Sequence, residues 1–262
     1  MDKRALCIGI NDYPDAGREL TGCVNDANDW AAVLGGRGFT VTRRVDGEAT
    51  RDGIVSAVHD TVAGLAKGDV FVVTYSGFGT YVPDPKRFGG DLREALCPAD
   101  VAQGRLLLLD ELDALLAQRA GGALAVVISD TCHAGTVTRG DDQSFDPGTA
   151  RMRILPPQVW MDPRRARHES FFEDIPRRET EGLGDLLITA CRVYEFGWEG
   201  RFAGRASGVF TYHALKALAS VQAGASYEAW SREIQHALPS SRWTQSPCFV
   251  GKAAVMRKAA LG

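Results

Sequence analysis

The sequence predicts an α/β fold, a three-layer α/β/α sandwich around a mainly parallel, six-stranded sheet. Short apolar runs rich in β-branched residues recur along the chain, which is typical of parallel strands covered on both faces. Segments with helical periodicity lie between these runs, and the alternation favours right-handed crossover connections. With 262 residues, 45% of them hydrophobic, the chain is long enough to bury one sizeable core.

The predicted elements alternate along the chain. Strands are predicted near residues 4–10, 39–45, 69–75, 123–130, 185–191 and 247–251, and helices over 25–35, 50–66, 109–120, 207–222 and 226–238. The second helix carries Ile54, Val58 and Val62 on one face, which should lie on the sheet. Thr50 is its predicted N-cap, and Asp110 is predicted to cap the third helix.

Residues 134–184 break this alternation. The segment has no periodic element and is crowded with Arg, Asp, Pro and Gly, including Pro156-Pro157 and Arg164-Arg165. A structureless segment of this length is uncommon inside a compact domain and is usually functional or disordered. After it, a strand, two helices and a last strand complete the predicted fold.

The composition excludes several function classes. A formal net charge of −3 gives no basic field that would attract nucleic acid or an anionic membrane. The first apolar run is soon interrupted by Asn11 and Asp12, which argues against a signal peptide, and no apolar stretch reaches bilayer length, so a cytoplasmic protein is expected. The cysteines lack zinc-site spacing, and Cys7, Cys191 and Cys248 are interpreted as buried thiols.

Unusual residues follow three of the predicted strands. These loops are 9–13 (GINDY), 75–80 (YSGFGT) and 130–135 (DTCHAG). Because ligands bind at the carboxyl ends of parallel strands, we expect the loops to converge at one edge of the sheet. Cys132 lies just past a buried strand and precedes small residues whose N–H groups can approach a substrate oxygen, which fits a nucleophile with an oxyanion hole. On local context alone, an ordinary loop cysteine fits equally well.

Four blocks of sequence carry a family resemblance. They are 22–27 (GCVNDA), 75–80 (YSGFGT), 94–98 (EALCP) and 130–135 (DTCHAG). In this order they resemble the metacaspases and bacterial caspase homologues, which are cysteine peptidases with a caspase-like fold. The likeness extends from residue 4 to about 135 and resumes through 185–250, where Gly208-Val209-Phe210-Thr211 resembles the helix of the small subunit.

The resemblance also implies a division of the chain. Residues 1–135 would form a large-subunit-like catalytic region, 136–184 an irregular linker or processing loop, and 185–262 a small-subunit-like region of the same domain. Many caspase homologues are activated by cleavage between the two halves, and the alternative interpretation of the linker is a solvated basic loop. The basic residues that would offer cleavage sites are Arg139, Arg151, Arg153, Arg164, Arg165, Arg167, Arg177 and Arg178.

The resemblance implies the roles of individual residues. Cys132 matches the nucleophile, and four residues match the lining of the first specificity pocket, which accepts Arg or Lys before the scissile bond: Cys23, Asp26, Ser76 and Asp130. Two carboxylates suit a guanidinium, which can bind them bidentately, and disfavour apolar or acidic side chains. Taken singly, Asp26 also fits an acid in the first turn of a helix, and Asp130 a carboxylate bound by backbone amides.

Phe78 departs from the family pattern. At this position the family has a His that takes the proton of the thiol and later protonates the leaving amine. Phenylalanine can do neither. A thiol without a neighbouring imidazolium has a pKa near about 8.5. We therefore expect a loss of roughly 10²–10⁴ in rate. Phe78 is either natural or a substitution that traps an inactive form, and its ring also suits an apolar niche at the strand end.

The predicted catalytic set also includes Gly79, which follows Phe78, and His133, which follows Cys132. Family members have a His beside the nucleophile that is not the base, so His133 is not expected to replace the missing one. His168 lies in the irregular segment. The other histidines fall on helical patterns, where structural or surface roles are expected: His59, His213 and His236.

No cofactor is predicted. Related enzymes carry an acidic run before the 94–98 block that can bind calcium, but here residues 84–91 (DPKRFGGD) include two basic residues where acids would help. A calcium site is therefore conceivable at this place but not predicted.

Two hypotheses about function follow. The first is an Arg/Lys-directed cysteine endopeptidase, impaired by Phe78, that acts on protein or peptide substrates and has an activating protease or a paralogue as a partner. The second is a pseudoenzyme, a non-catalytic module that binds basic peptides in the acidic pocket or regulates an active protease. An unrelated enzyme acting on a small molecule is disfavoured, because no Gly-rich phosphate loop follows a strand.

Overall fold

The structure is a computed structural model that describes residues 1–14, 16–83, 92–132, 150–160, 183–192 and 195–262. Its strands are β1 (Lys3–Gly9), β2 (Asp12–Tyr13), β3 (Arg18–Glu19), β4 (Thr40–Val45), β5 (Val70–Ser76), β6 (Gly79–Pro83), β7 (Leu92–Leu96), β8 (Leu107–Leu108), β9 (Leu124–Asp130), β10 (Arg151–Met152), β11 (Leu186–Thr189), β12 (Trp198–Phe202), β13 (Arg205–Gly208) and β14 (Cys248–Gly251). Its helices are α1 (Cys23–Gly36), α2 (Arg51–Ala63), α3 (Leu109–Leu116), α4 (Pro157–Trp160), α5 (Val209–Ser220), α6 (Tyr227–Gln235) and α7 (Ala253–Met256).

Six strands form one central sheet in the order β14-β11-β9-β5-β1-β4. Neighbouring strands are parallel except β14, which runs antiparallel to β11 at the edge. Each of the six predicted strands belongs to this sheet, so the predicted mainly parallel, six-stranded arrangement is confirmed. The prediction succeeds because strands covered on both faces are continuous apolar runs in sequence, and every residue of β5 is buried.

Each face of the sheet packs against helices. Leu6 and Ile8 of β1 join the core that includes residues of α2 and α3. The alternate residues Ala5 and Cys7 join the core on the other face, which includes residues of α1, α5 and α6. This alternation follows from the two-residue period of a strand. The predicted three-layer sandwich is therefore confirmed.

The five predicted helices are found as α1, α2, α3, α5 and α6. The predicted N-cap of α2 is confirmed, because the Thr50 side chain accepts a hydrogen bond from Gly53 N (3.2 Å). The predicted cap of α3 is wrong: Asp110 lies within the first turn, and its carboxylate instead accepts hydrogen bonds from Arg93 (3.0 and 3.1 Å). Among the described residues, no helix is long and apolar enough to cross a membrane.

Three smaller sheets were not predicted: β2-β3, β6-β7-β8 and β10-β12-β13. Their strands have two to five residues, which is too short to leave a clear periodic pattern. The prediction that residues 134–184 contain no regular element is wrong in part, because β10 and α4 lie there and β10 pairs with β12. The division of the chain into 1–135, 136–184 and 185–262 stays a prediction.

A substitution at Trp230 tests the packing of the layer formed by α1, α5 and α6. It is fully buried, contacts Trp30 edge-on with ring centroids 6.2 Å apart, and donates Nε1–H to Ala214 O (2.9 Å). We expect Trp230→Ala to lower the free energy of unfolding by about 3–5 kcal/mol in urea titrations. The control is Val250→Ala on the edge strand β14, where the side chain is exposed and the expected loss is within about 0.5 kcal/mol. Equal losses in the two variants would contradict this packing.

Candidate active site

The carboxyl ends of three neighbouring strands lie side by side. Gly9 of β1 pairs in register with Ser76 of β5, which is buried, and Ser76 pairs in turn with Asp130 of β9. The loop after β1 also holds the start of α1, because Asn11 Oδ1 accepts a hydrogen bond from Cys23 N (2.8 Å). The three loops therefore converge at one edge of the sheet, as their positions in the sequence predict.

A fully buried arginine, Arg153, lies between the two predicted pocket carboxylates. Its Nη2 donates to Asp26 Oδ2 (2.7 Å). Its Nη1 donates to the main-chain oxygen of Asp130 (3.0 Å) and lies 3.1 Å from Asp130 Oδ1. Asp26 and Asp130 thus hold one guanidinium. Sequence reasoning indicated Arg153 only as one of several basic residues in the irregular segment, because its neighbours in sequence do not reveal its partners.

A third carboxylate, Glu199, was not predicted. It is buried in β12, and its Oε2 lies 3.8 Å from Arg153 Nη2. It also accepts hydrogen bonds from Thr21 N, Thr21 Oγ1 and Gly22 N, at 2.9–3.1 Å. Glu199 therefore fixes the residues that precede α1 and adds negative charge around Arg153. The sequence contains no sign of this contact, because β12 is a short strand outside the central sheet.

Both pocket carboxylates are oriented by the junction between β13 and α5. Ser207 Oγ and Gly208 N donate to Asp26 Oδ1 (2.6 and 3.0 Å). Thr211 donates from its N and Oγ1 to Asp130 Oδ2 (2.9 and 2.6 Å). A Cβ atom on Gly208 would overlap the Asp130 carboxylate, so this close approach requires glycine. The junction, which the resemblance marks only as the start of a small-subunit helix, therefore contacts both carboxylates that are predicted to line the pocket.

Burial dominates the electrostatics of the pocket. It raises the pKa of Asp26 to about 6, an effect that Arg153 opposes and Asp130 reinforces. Burial works to lower the pKa of Arg153, but the surrounding acidic groups outweigh this effect, and Asp130 contributes most. They hold the pKa of Arg153 well above its usual range, so Arg153 stays charged. Burial also raises the pKa of the Cys23 thiol well above its ordinary value, so Cys23 is a neutral thiol.

The main chain of Arg153 is held as closely as its side chain. Its carbonyl oxygen accepts hydrogen bonds from Gly79 N (3.0 Å) and Cys132 N (3.2 Å), and its own N donates to Gly197 O (2.9 Å). Leu155 N donates to Gly79 O (2.8 Å). Two loops that are distant in sequence thus present two N–H groups to one carbonyl oxygen, which is the arrangement of an oxyanion hole.

Cys132 is buried beside a second thiol, Cys191. Cys132 Sγ donates to Glu195 O (3.0 Å), and Cys191 Sγ donates to the same oxygen (3.5 Å). The contact with Cys132 and burial together raise the pKa of Cys191 well above its ordinary value. The prediction that Cys191 is buried is confirmed, whereas Cys248 is only half-buried. The contact between Cys191 and Cys132 was missed, because nothing in the sequence distinguishes Cys191 from Cys7, which is also buried.

Phe78 is buried in an apolar niche, as one interpretation of its ring predicts. Its ring lies against that of Tyr13, with centroids 4.8 Å apart. Its N–H donates to Tyr13 Oη (2.8 Å), and its carbonyl oxygen accepts from Tyr75 Oη (2.8 Å). The backbone at Phe78 is therefore firmly positioned, immediately before Gly79, whose N–H contacts Arg153.

Several predicted residues lie outside the described ranges: His133, His168, the 84–91 run, Arg139, Arg164, Arg165, Arg167, Arg177 and Arg178. Of the remaining histidines, His59 and His236 are exposed and His213 is half-buried. Within the ranges that are described, no group of three or more His, Cys, Asp or Glu residues is arranged to hold a metal ion.

Comparison with known proteins identifies the family. The sequence model of the caspase domain matches residues 2–255. The chain belongs to the caspase family. This caspase domain is 28% identical to protein GSU0716 from Geobacter sulfurreducens, and its fold matches that crystal structure with a TM-score of 0.82 over 100% of this chain and 98% of the other.

Relatives of this caspase domain include plant metacaspases. Metacaspase-4 of Arabidopsis thaliana is 36% identical over 146 residues, which are 52% of this chain and 34% of that protein. Metacaspase-3 of the same plant is 28% identical over 232 residues, which are 82% of this chain and 59% of that protein. The caspase domain thus corresponds to only part of these two relatives. The predicted relationship to metacaspases is confirmed.

The raised pKa of Asp26 predicts a pH-dependent contribution to stability. Its pKa in the folded protein, about 6, lies above its ordinary value of 3.8, so the folded state binds the proton more tightly. The contribution of Asp26 to the free energy of unfolding is therefore complete below pH 3.8 and is lost as the pH rises through about 6, its pKa in the folded protein. The size of this contribution is on the order of 2–3 kcal/mol. We expect Asp26→Asn to abolish this loss of stability, so that the free energy of unfolding measured in urea depends less on pH.

The matched control for this measurement is Asp29→Asn. Asp29 lies on the same helix, at the surface, and pairs with Arg205. Its replacement should leave the pH profile between about 4 and 7 close to that of the parent chain. Identical profiles for Asp26→Asn and the parent would contradict the assignment of the raised pKa to Asp26.

Proposed function

We propose that this caspase domain is a cysteine endopeptidase that cuts protein or peptide chains after Arg or Lys, with Cys132 as nucleophile, and that Phe78 slows its turnover by occupying the place of the family His. The observation that carries the proposal is the environment of Arg153. Its guanidinium lies between Asp26 and Asp130 while its carbonyl oxygen accepts hydrogen bonds from the N–H group of Cys132. Membership of the caspase family supports the cysteine peptidase chemistry.

The preference for a basic residue follows from charge and geometry. Asp26 and Asp130 approach two different guanidinium nitrogens, at 2.7 and 3.1 Å, and both carboxylates are buried. An aspartate side chain in the same place would meet two like charges in a site with little solvent. An apolar side chain would leave both carboxylates without a counter-charge, which is costly in a buried site. Arg and Lys therefore satisfy the pocket, and Arg does so with more hydrogen bonds.

The proposed chemistry uses two parts of the site. The N–H groups of Gly79 and Cys132 would stabilise the oxyanion that forms when sulfur attacks the carbonyl carbon. The Cys132 thiol donates a hydrogen bond to Glu195 O, and a thiol needs a base to become the nucleophilic thiolate. Phe78 provides none, and it provides no acid for the departing amine. The oxyanion hole alone would leave a residual, much slower reaction.

The partners and location of the protein are predictions of the same proposal. Its substrates would be proteins or peptides that contain Arg or Lys, and an activating protease or a paralogue would act on it. A cytoplasmic location agrees with its reduced cysteines, since the six cysteines are free thiols.

Restoring a histidine tests the proposal. We expect Phe78→His to raise the rate of cleavage after Arg and Lys by roughly 10²–10⁴, because the imidazole supplies the missing base and acid. The measurement compares fluorogenic peptides that end in Arg, Lys or Asp before the reporter. The gain should disappear in the double variant Phe78→His/Cys132→Ala.

Phe78→Leu is the matched control, because it changes the same buried position without adding a titratable group. Its activity should equal that of the parent chain. Cleavage after Asp would overturn the pocket assignment, and a gain that survives loss of the Cys132 sulfur would overturn the assigned nucleophile.

A further inference from the structure

We propose that Cys132 and Cys191 form a dithiol site that a hydroperoxide oxidises to a reversible Cys132–Cys191 disulfide. The proposal goes beyond the peptidase reaction, because it needs the two sulfur atoms and a small oxidant but neither the acidic pocket nor a base at position 78. It assigns a role to Cys191 and names the hydroperoxides as the chemical class that the site takes.

The first support is the contact between the two thiols. Both donate a hydrogen bond to one acceptor, Glu195 O, at 3.0 Å from Cys132 Sγ and 3.5 Å from Cys191 Sγ. The two thiols also hydrogen-bond to each other, and they form one apolar cluster against which Ile154 and Phe196 pack. A disulfide forms only where two sulfur atoms can come together without a large movement of the backbone. These two sulfur atoms are already neighbours.

The second support is the backbone that carries the two cysteines. Cys132 follows β9 and Cys191 follows β11, which are neighbouring parallel strands in which Ser129 pairs in register with Thr189. Cys191 Sγ also donates to Thr131 O at 3.8 Å, across the gap between the two strand ends. The disulfide would therefore join two segments that the central sheet already holds side by side.

The third support is the firm position of the shared acceptor. The Glu195 carboxylate accepts hydrogen bonds from Ser246 N (2.6 Å), Ser246 Oγ (2.9 Å) and Arg192 N (3.2 Å). The main-chain N–H of Glu195 donates to Arg192 O (3.0 Å). Because the residue is held through both its side chain and its backbone, its carbonyl oxygen directs the two S–H groups to one point. The site is thus built to keep the thiols together.

The electrostatics give the two thiols different roles. The hydrogen bond with Cys132, burial, and the negative charge of an ionised Cys132 together raise the pKa of Cys191 well above its ordinary value. Cys191 therefore keeps its proton while Cys132 carries the charge. Since the thiolate is the form that attacks a peroxide, Cys132 is the sulfur that is oxidised first. Cys191 is then the thiol that resolves the oxidised product.

The reaction balances with the hydroperoxide as its only oxidant. The Cys132 sulfur attacks the terminal oxygen of ROOH, the O–O bond breaks, and the departing oxygen leaves as ROH with the proton of the Cys132 thiol. Cys132 is now a sulfenic acid. The Cys191 sulfur attacks the Cys132 sulfur, the S–O bond breaks, and the hydroxyl group leaves as water with the proton of the Cys191 thiol. The two thiols have lost two electrons to the peroxide, and a dithiol reductant reverses the change.

The first experiment oxidises the parent chain with hydrogen peroxide and locates the product. The chain is denatured, alkylated with N-ethylmaleimide, digested and analysed by mass spectrometry without reduction. We expect a pair of peptides joined through Cys132 and Cys191, the loss of two alkylatable thiols, and the recovery of both thiols with dithiothreitol. Cys7 should remain alkylatable, because burial raises its pKa to about 11 and keeps it a neutral thiol.

The second experiment removes the resolving sulfur. In Cys191→Ser we expect no disulfide, a sulfenic acid on Cys132 that dimedone traps, and sulfinic acid on Cys132 at higher peroxide concentrations. Cys191→Ala repeats the test if the Ser variant does not fold. The matched control is Cys248→Ser, since Cys248 is only half-buried and lies outside the cluster of the two thiols. This variant should form the disulfide as the parent chain does.

The contradicting outcomes are as clear as the expected ones. The proposal is overturned if Cys132 of the parent chain passes to sulfinic acid without a disulfide, or if it pairs with a cysteine other than Cys191. It is also overturned if both thiols stay reduced at a peroxide concentration that oxidises Cys248. None of these measurements involves peptide cleavage, so an inactive Phe78→His chain would sink the proposed function and leave the dithiol site standing.

Discussion

The burial of one guanidinium among carboxylates is the constraint on which the arrangement of the site depends. Moving a charged group out of water is costly, and the cost is offset only by opposite charges and hydrogen bonds in good geometry. Arg153 obtains these from Asp26 on α1, Asp130 at the end of β9 and Glu199 on β12. Three parts of the chain that are far apart in sequence must therefore meet before the arginine can be buried.

The carboxylates do not rely on Arg153 for their orientation. Ser207 and Gly208 bind Asp26, Thr211 binds Asp130, and the residues before α1 bind Glu199. Each acid is thus held by neutral donors as well as by the guanidinium. Because neutral donors fix all three acids, the site is preorganised to hold a basic group.

Much of the fold can be predicted from the sequence, and less of the site. The six central strands are predictable because each is a continuous apolar run, and the cap at Thr50 because its signal is local. The family blocks predict Asp26 and Asp130 as neighbours in one pocket, and the structure brings both side chains to Arg153, whereas their role toward a substrate stays a prediction. Glu199, Cys191 and the place of Arg153 were missed, because each acquires its role from contacts between distant parts of the chain. A strand of two residues such as β10 has no pattern of its own and exists only through its partner β12.

The carboxylates that hold Arg153 also oppose its departure. Without the guanidinium, Asp26 and Asp130 would remain as like charges in a buried site, and their repulsion and desolvation would raise the free energy of that state. The ion pairs of Arg153 therefore join α1, the end of β9 and the segment around β10 into one unit.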